Sequence, residues 1–230
     1  MIERPSPNHD ARPAGKAIDL IVLHYTGMRN AESALQRLSD PAAKVSSHYL
    51  IDEQGEVYRL VDESRRAWHA GVSYWRGERD VNGVSIGIEL ANPGHDFGYR
   101  PFPEAQMTAL VELCRGLLAR QPIPRARIVG HSDVAPRRKI DPGELFDWRA
   151  LSAAGFGLWP KPVDGPADPA LALIALVQIG YETGQAETDE ITRAAIAAFQ
   201  RHFRPRQIDG EVDGETRCLI YGLAQALAGG

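Results

Sequence analysis

His24, His131 and Asp141 are the residues whose types suit chemistry at one point, because two imidazoles and a carboxylate can hold a tetrahedral zinc ion and leave its fourth position open. The open position separates a catalytic site from a structural one. Zinc lowers the pKa of a water to about 7 and polarises a carbonyl, which are the two effects amide hydrolysis needs. The chain has seven histidines (His9, His24, His48, His69, His95, His131 and His202), and an isolated imidazole is more often a surface or satisfied core group than a ligand. Position singles out two of them. His24 and His131 each end an apolar run of strand character, so parallel neighbouring strands would carry both to one edge of a sheet. Asp141 follows through the Pro-rich, charged segment 132–140, a loop able to fold back over that edge.

Two further residues have a bland and a chemical reading. Glu89 is embedded in Ser85-Ile86-Gly87-Ile88-Glu89-Leu90, where it is either an outward residue of a half-exposed strand or a general base beside the metal, its pKa raised by partial burial. Lys139, beside Arg137 and Arg138, is either one more solvated cation or a fixed charge that stabilises a tetrahedral oxyanion.

These residues need elements to position them. Ile18–Leu23 is an almost unbroken apolar run with β-branched residues, as expected of a strand buried on both faces. Ser47–Ile51 and Val57–Val61 around Asp52-Glu53-Gln54-Gly55 predict a hairpin, and Val84–Leu90 a further strand. Asn30 can cap a short helix with Ala31, Ala34, Leu35 and Leu38 on one face. From Glu104 to Arg120 the residues Met107, Leu110, Val111, Cys114, Leu117 and Leu118 keep helical spacing, and Pro122 and Pro124 stop it. Arg127–Gly130 then forms a short strand that delivers His131. Strands interleaved with helices make this an α/β domain.

Pro160, Pro162, Gly165 and Pro166 predict an extended connector over 160–168, after a first domain of residues 1–159. Residues 169–230 carry three helical patterns, starting at Asp168-Pro169, Thr188 and Gly214, and predict a small all-α domain.

The 230 residues are 43% hydrophobic and 24% charged, with a net charge of -4. That balance lacks the basic footprint of a nucleic-acid or anionic-lipid binder and leaves carbohydrate or peptide partners open. Cys114 and Cys218 fall in separate apolar helical faces, so burial as small residues is expected and a disulfide is not. There is no apolar run of transmembrane length and no signal-like h-region at the start, which gives a cytoplasmic expectation. A periplasmic or outer-membrane-associated place is the alternative if an export signal has been removed.

Five motifs in order, IVLHYTG, SSHYLID, RAWHAGVS, SIGIEL and VGHSDVAPRRKIDPG, resemble the zinc-dependent N-acetylmuramoyl-L-alanine amidases of the AmpD and AmiD type, whose fold is that of peptidoglycan recognition proteins. The resemblance spans roughly the first 160 residues. It implies a mixed central β-sheet flanked by helices, one zinc per chain on His24, His131 and Asp141, Glu89 as acid/base and Lys139 as transition-state partner. It implies substrate contacts at His69 and, less directly, at Trp68, Tyr25 and Asn92. The segment after the connector resembles the three-helix peptidoglycan-binding domain, through LVQIGY, AFQRHF and the Asp209-to-Thr216 loop. The implied partner is peptidoglycan or a soluble muropeptide, intact or 1,6-anhydro, cut by a monomer between muramic acid and L-alanine. A receptor without turnover and a zinc peptidase cutting within the stem peptide are the competing readings.

Overall fold

The computed structural model describes residues 1–186 and 188–229; the last residue of the expected helical module, 230, lies outside the described residues. Its centre is a six-stranded mixed sheet with the order β1-β5-β4-β7-β3-β8. The strands are β1 (Ile2–Glu3), β3 (Leu20–Tyr25), β4 (Tyr49–Ile51), β5 (Val57–Arg59), β7 (Ser85–Leu90) and β8 (Ile128–Gly130), while β2 (His9–Ala11) and β6 (Arg65–Ala67) form a separate antiparallel pair. β4, β7, β3 and β8 are parallel neighbours, and β4 and β5 are the antiparallel hairpin expected over 47–61.

Side chains of a strand alternate between faces, and β7 shows why its sequence reads as it does. Ile86, Ile88 and Leu90, with Ile21 and Leu23 of β3, pack against Leu110, Leu113, Cys114 and Leu117 of helix α4 (Glu104–Arg120). Ser85, Gly87 and Glu89 alternate to the opposite face. On that face α1 (Ala31–Ser39) covers Leu50 and Leu60, and Asn30 caps it by accepting from Ser33 N–H at 2.8 Å. Short helices α2 (Val81–Val84), α3 (Gly94–Phe97), α5 (His131–Val134) and α6 (Trp148–Ala153) sit in the connections.

The C-terminal helices α7 (Pro169–Ile179), α8 (Glu190–Phe203) and α9 (Gly214–Ala228) follow the predicted patterns. They do not hang from a free tether. Leu176, Ile179, Phe199 and Leu223 share one apolar cluster with Leu20, Val22, Val129 and Val134 of the first domain. The connector is pinned along α9: Val163 N–H donates to the Cys218 carbonyl at 3.0 Å, and Tyr221 O–H to the Pro166 carbonyl at 3.2 Å. Proline and glycine remove the donors and side chains that regular structure uses, yet they leave the carbonyls to serve as acceptors. Both cysteines are free thiols. Among the described residues, no helix is long and apolar enough to cross a membrane.

Candidate active site

Register places the chemistry. His24 and Glu89 are Cα partners in the parallel β3–β7 pair, so their side chains leave the sheet on the same face. Leu23 pairs with Gly130, and His131, the next residue, therefore stands beside His24 where β8 turns into α5. The loop after α5 folds back as its composition allows: Ser132 N–H donates to the Asp141 carbonyl at 2.9 Å. A Cβ on Gly130 would meet Pro142 Cδ at 2.8 Å, so glycine is what lets this loop close over the strand end.

The outcome is a buried triangle. His24 Nδ1 lies 2.9 Å from His131 Nδ1 and 3.1 Å from Asp141 Oδ2, and His131 Nδ1 lies 3.0 Å from the same oxygen. All three residues are buried, at 1%, 3% and 6% exposure. The far side of His131 shows what the triangle is for. Its Nε2 faces the Ala70 carbonyl at 3.1 Å, which can only accept, so Nε2 carries a hydrogen and Nδ1 is the nitrogen left to offer a lone pair. That lone pair converges with a carboxylate oxygen and a second imidazole. Such a cluster of acceptors is satisfied by a cation, and its edges are close to the roughly 3.4 Å of a tetrahedral face with donors at about 2.0–2.1 Å. The residues thus fit a metal ion. Burial, and then His131, push His24 down to about 4, so it is neutral at pH 7 and able to donate a lone pair. Burial works to raise the Asp141 carboxyl, but His131 and His24 beside it hold it well below the usual carboxylate range.

A cleft of about 480 Å³ opens over this triangle. Glu89 lies in its lining, half-buried, with Oε2 shielded from solvent and without a hydrogen-bond partner. Burial, and next the charge of Asp141, raise its pKa well above the carboxylate range, while Lys139 works in the opposite direction. Lys139 is half-buried in the same lining, so both residues border the cleft that opens over the triangle.

Trp68 and Tyr25 also line the cleft, and Tyr25 Oη lies 3.0 Å from His95 Nδ1. Asn92 is not brought to the cleft. It is 2% exposed, donating to the Arg100 carbonyl at 2.7 Å and accepting from Gly94 N–H at 3.1 Å, so its amide organises the loop after β7 and is spent there. His69 borders the cleft, yet both ring nitrogens point into the protein, toward His24 Nε2 at 3.1 Å and Ser85 Oγ at 3.2 Å. Both of its nitrogens thus have partners within the protein.

Sequence reasoning missed several residues here. Arg138, read as part of a solvated run, donates to the carbonyls of Ala70 at 3.0 Å and Val72 at 3.1 Å, tying the loop before Asp141 to the segment behind His131. His95 and Arg37 line the cleft without any motif to mark them. His48, inside a quoted motif, accepts from Gly87 N–H at 2.9 Å and joins β4 to β7.

Comparison with known proteins fits this geometry. Residues 14–144 match a sequence family described as N-acetylmuramoyl-L-alanine amidase, and residues 174–219 one described as a peptidoglycan binding domain. The N-acetylmuramoyl-L-alanine amidase AmiD of Escherichia coli (strain K12) is 37% identical over 98% of this chain and 90% of its own length. The 1,6-anhydro-N-acetylmuramyl-L-alanine amidase AmpD of Haemophilus influenzae is 38% identical over 64% of this chain and 89% of its own. Two solved structures resemble the whole chain. E. coli AmiD in complex with the substrate anhydro-N-acetylmuramic acid-L-Ala-D-gamma-Glu-L-Lys superposes with a TM-score of 0.81 at 38% identity, covering 94% of this chain and 93% of the other. AmpDh3 from Pseudomonas aeruginosa gives 0.84 at 33% identity, covering 94% of each.

Proposed function

This chain belongs to the N-acetylmuramoyl-L-alanine amidase family, and from that premise we propose that it is a zinc enzyme hydrolysing the amide between N-acetylmuramic or 1,6-anhydro-N-acetylmuramic acid and L-alanine in peptidoglycan fragments. The observation that carries the reading is the pairing of His24 with Glu89 across β3 and β7, which sets a carboxylate with an elevated pKa beside three converging metal donors.

His24, His131 and Asp141 would hold the ion. Zinc supplies Lewis acidity there, polarising the amide carbonyl and making a water acidic enough to attack at neutral pH. Glu89 takes the proton of that attacking water on its unpartnered Oε2 and returns it to the departing alanine nitrogen. A carboxylate raised above its ordinary range suits both transfers, since it must bind the proton and then release it. Lys139 answers the negative charge that develops on the carbonyl oxygen, an effect of about 3 kcal/mol where single oxyanion partners have been removed. The buried walls of His24, His131 and Asp141 limit the water around them and so strengthen these charges.

The test is product analysis by mass spectrometry after incubation of the zinc-loaded protein with a soluble anhydro-muropeptide and, separately, with intact sacculi. A muramyl sugar and a peptide beginning at L-alanine are expected, and Glu89→Gln should keep its zinc while losing turnover. Cleavage within the stem peptide would make the protein a peptidase instead. Binding with no cleavage of any substrate would make it a receptor.

A further inference from the structure

The two ring nitrogens of His69, on one side His24 and on the other Ser85, form a chain of hydrogen bonds whose direction can be worked out link by link. Ser85 Oγ lies 2.6 Å from the carbonyl oxygen of Val81, which only accepts, so the single hydroxyl hydrogen is committed there. Toward His69 Nε2, 3.2 Å away, Ser85 Oγ can then only accept. The hydrogen of that link sits on His69 Nε2. An imidazole whose hydrogen is on Nε2 has its lone pair on Nδ1. Nδ1 faces His24 Nε2 at 3.1 Å and accepts from it. A neutral His24 with its hydrogen on Nε2 has its lone pair on Nδ1, the atom that meets Asp141 and His131.

We infer that His69 is a positioning residue for the metal site: with Ser85 it holds His24 in the Nε2–H form and aims Nδ1 at the ion. This rests on the proposed reading of His24 as a metal ligand. The backbone carbonyl of Val81 thus fixes the tautomer of His24 through two side chains, as the Ala70 carbonyl fixes that of His131 directly. A hydrogen-bond acceptor behind a metal-bound imidazole sets its orientation and raises its basicity, and losing such a partner typically lowers metal affinity 10–100-fold.

The surroundings of His69 are built to seat it. Asn82 Oδ1 accepts from the backbone N–H groups of His69 and Ala70, at 3.1 and 2.8 Å, and so fixes the segment. The ring lies flat against β7 at Gly87, where a Cβ would stand 2.4 Å from His69 Cγ. Gly87 sits in mid-strand without a positive φ, so its lack of a side chain, and not its conformational freedom, is what the site uses.

The full-length chain carrying His69→Leu, His69→Asn or Ser85→Ala is compared with wild type in zinc affinity, measured by competition with a chromophoric chelator. Long-range 1H–15N spectra of the metal-free proteins report which nitrogen of His24 carries the hydrogen. His69→Leu should weaken zinc binding 10–100-fold and leave His24 a mixture of tautomers. His69→Asn, whose Oδ1 can stand in for Nδ1, should restore most of the affinity, and Ser85→Ala should weaken binding by a smaller factor. Wild-type affinity with an Nε2–H His24 in the Leu variant overturns the positioning role, as does failure of Asn to do better than Leu. Loss of zinc from His24→Ala separates the two claims: if that variant still binds zinc as wild type does, the metal reading itself fails. Melting curves of the metal-free proteins identify a variant that has lost its fold, and Ser85→Ala then decides the matter by its His24 spectrum.

Discussion

Asp133 accepts a hydrogen bond from Tyr181 O–H at 2.6 Å, and with its other oxygen it accepts from Gly130 N–H at 2.7 Å and from His202 Nδ1 at 2.8 Å. Tyr181 and His202 belong to the C-terminal module, and Asp133 lies two residues after His131. The helix that begins with a candidate metal ligand is thereby fastened to the second module. His202 is further sandwiched between Trp148 and Phe203, with ring centroids at 3.7 and 3.8 Å. Since the two modules also share an apolar cluster, they should unfold together.

Tyr181→Phe keeps the ring and removes the hydroxyl, leaving Asp133 Oδ1 buried with one fewer partner. An unsatisfied buried acceptor costs about 1–3 kcal/mol, and for a chain of this size each kcal/mol lowers Tm by roughly 2–4 °C. Differential scanning calorimetry should show one cooperative transition in wild type and variant, displaced downward in the latter. Two separate transitions, with only the smaller one moved, would show that the modules are thermodynamically independent.

Acid should destabilise the metal-free protein well above the carboxylate range. Burial, followed by the cation of Arg12, pushes His48 down to about 3, and burial pushes His24 to about 4. In the unfolded chain each returns to about 6.5. Below that pH the unfolded state binds more protons than the folded one, so stability is fully present above pH 6.5 and lost as pH falls toward the folded values. Each group contributes up to about 1.4 kcal/mol per pH unit in that window. Denaturant titrations with chelator at pH 7.0, 6.0 and 5.0 should therefore give falling midpoints. His48→Asn, which retains an acceptor for Gly87 N–H, should flatten the slope by about one group's share, and an unchanged slope would contradict the assignment.

How legible was this in the sequence? The strand-end placement of His24 and His131 was legible because a buried strand has nowhere to put a polar residue except at its end, and Ile18–Leu23 and Arg127–Gly130 both stop at histidine. Glu89 was half legible: its alternation with Ile86, Ile88 and Leu90 set it on the other face, but whether that face was solvent or a site depended on β3 lying beside β7. His69, expected at the cleft lining, does border the cleft, but its turn toward His24 and Ser85 depends on a loop crossing Gly87, a meeting of residues that no local pattern encodes. Asn92 failed for a similar reason, its amide being claimed by Arg100 from a later turn. The connector over 160–168 read as extended because composition reports missing donors and side chains, and it cannot report that α9 supplies the partners.

Cys114 should be chemically silent in the folded protein. Burial in the α4 face raises its thiol to about 12, and the nucleophile in alkylation is the thiolate. Iodoacetamide at pH 8 should modify the half-buried Cys218 first and reach Cys114 only after denaturant is added. Mass mapping of the labelled peptides checks the order, and rapid native labelling of Cys114 would show that the contact between α4 and the sheet opens.

Lys139 offers the sharpest test of how the cleft is tuned. Its charge opposes the burial and the Asp141 carboxylate that raise the Glu89 pKa, so removing it should raise that pKa further. The acid limb of the kcat/KM profile reports the essential base of the free enzyme. In Lys139→Met it should move to higher pH, and the plateau rate should fall by about 10²–10³ as oxyanion stabilisation is lost. The two effects have different signatures. A solvated lysine with no part in the chemistry would leave both limb and plateau in place, whereas one acting only by holding the loop would lower the plateau without moving the limb. A joint change is what the proposed roles of the two residues require, since Lys139 and Glu89 line one cleft.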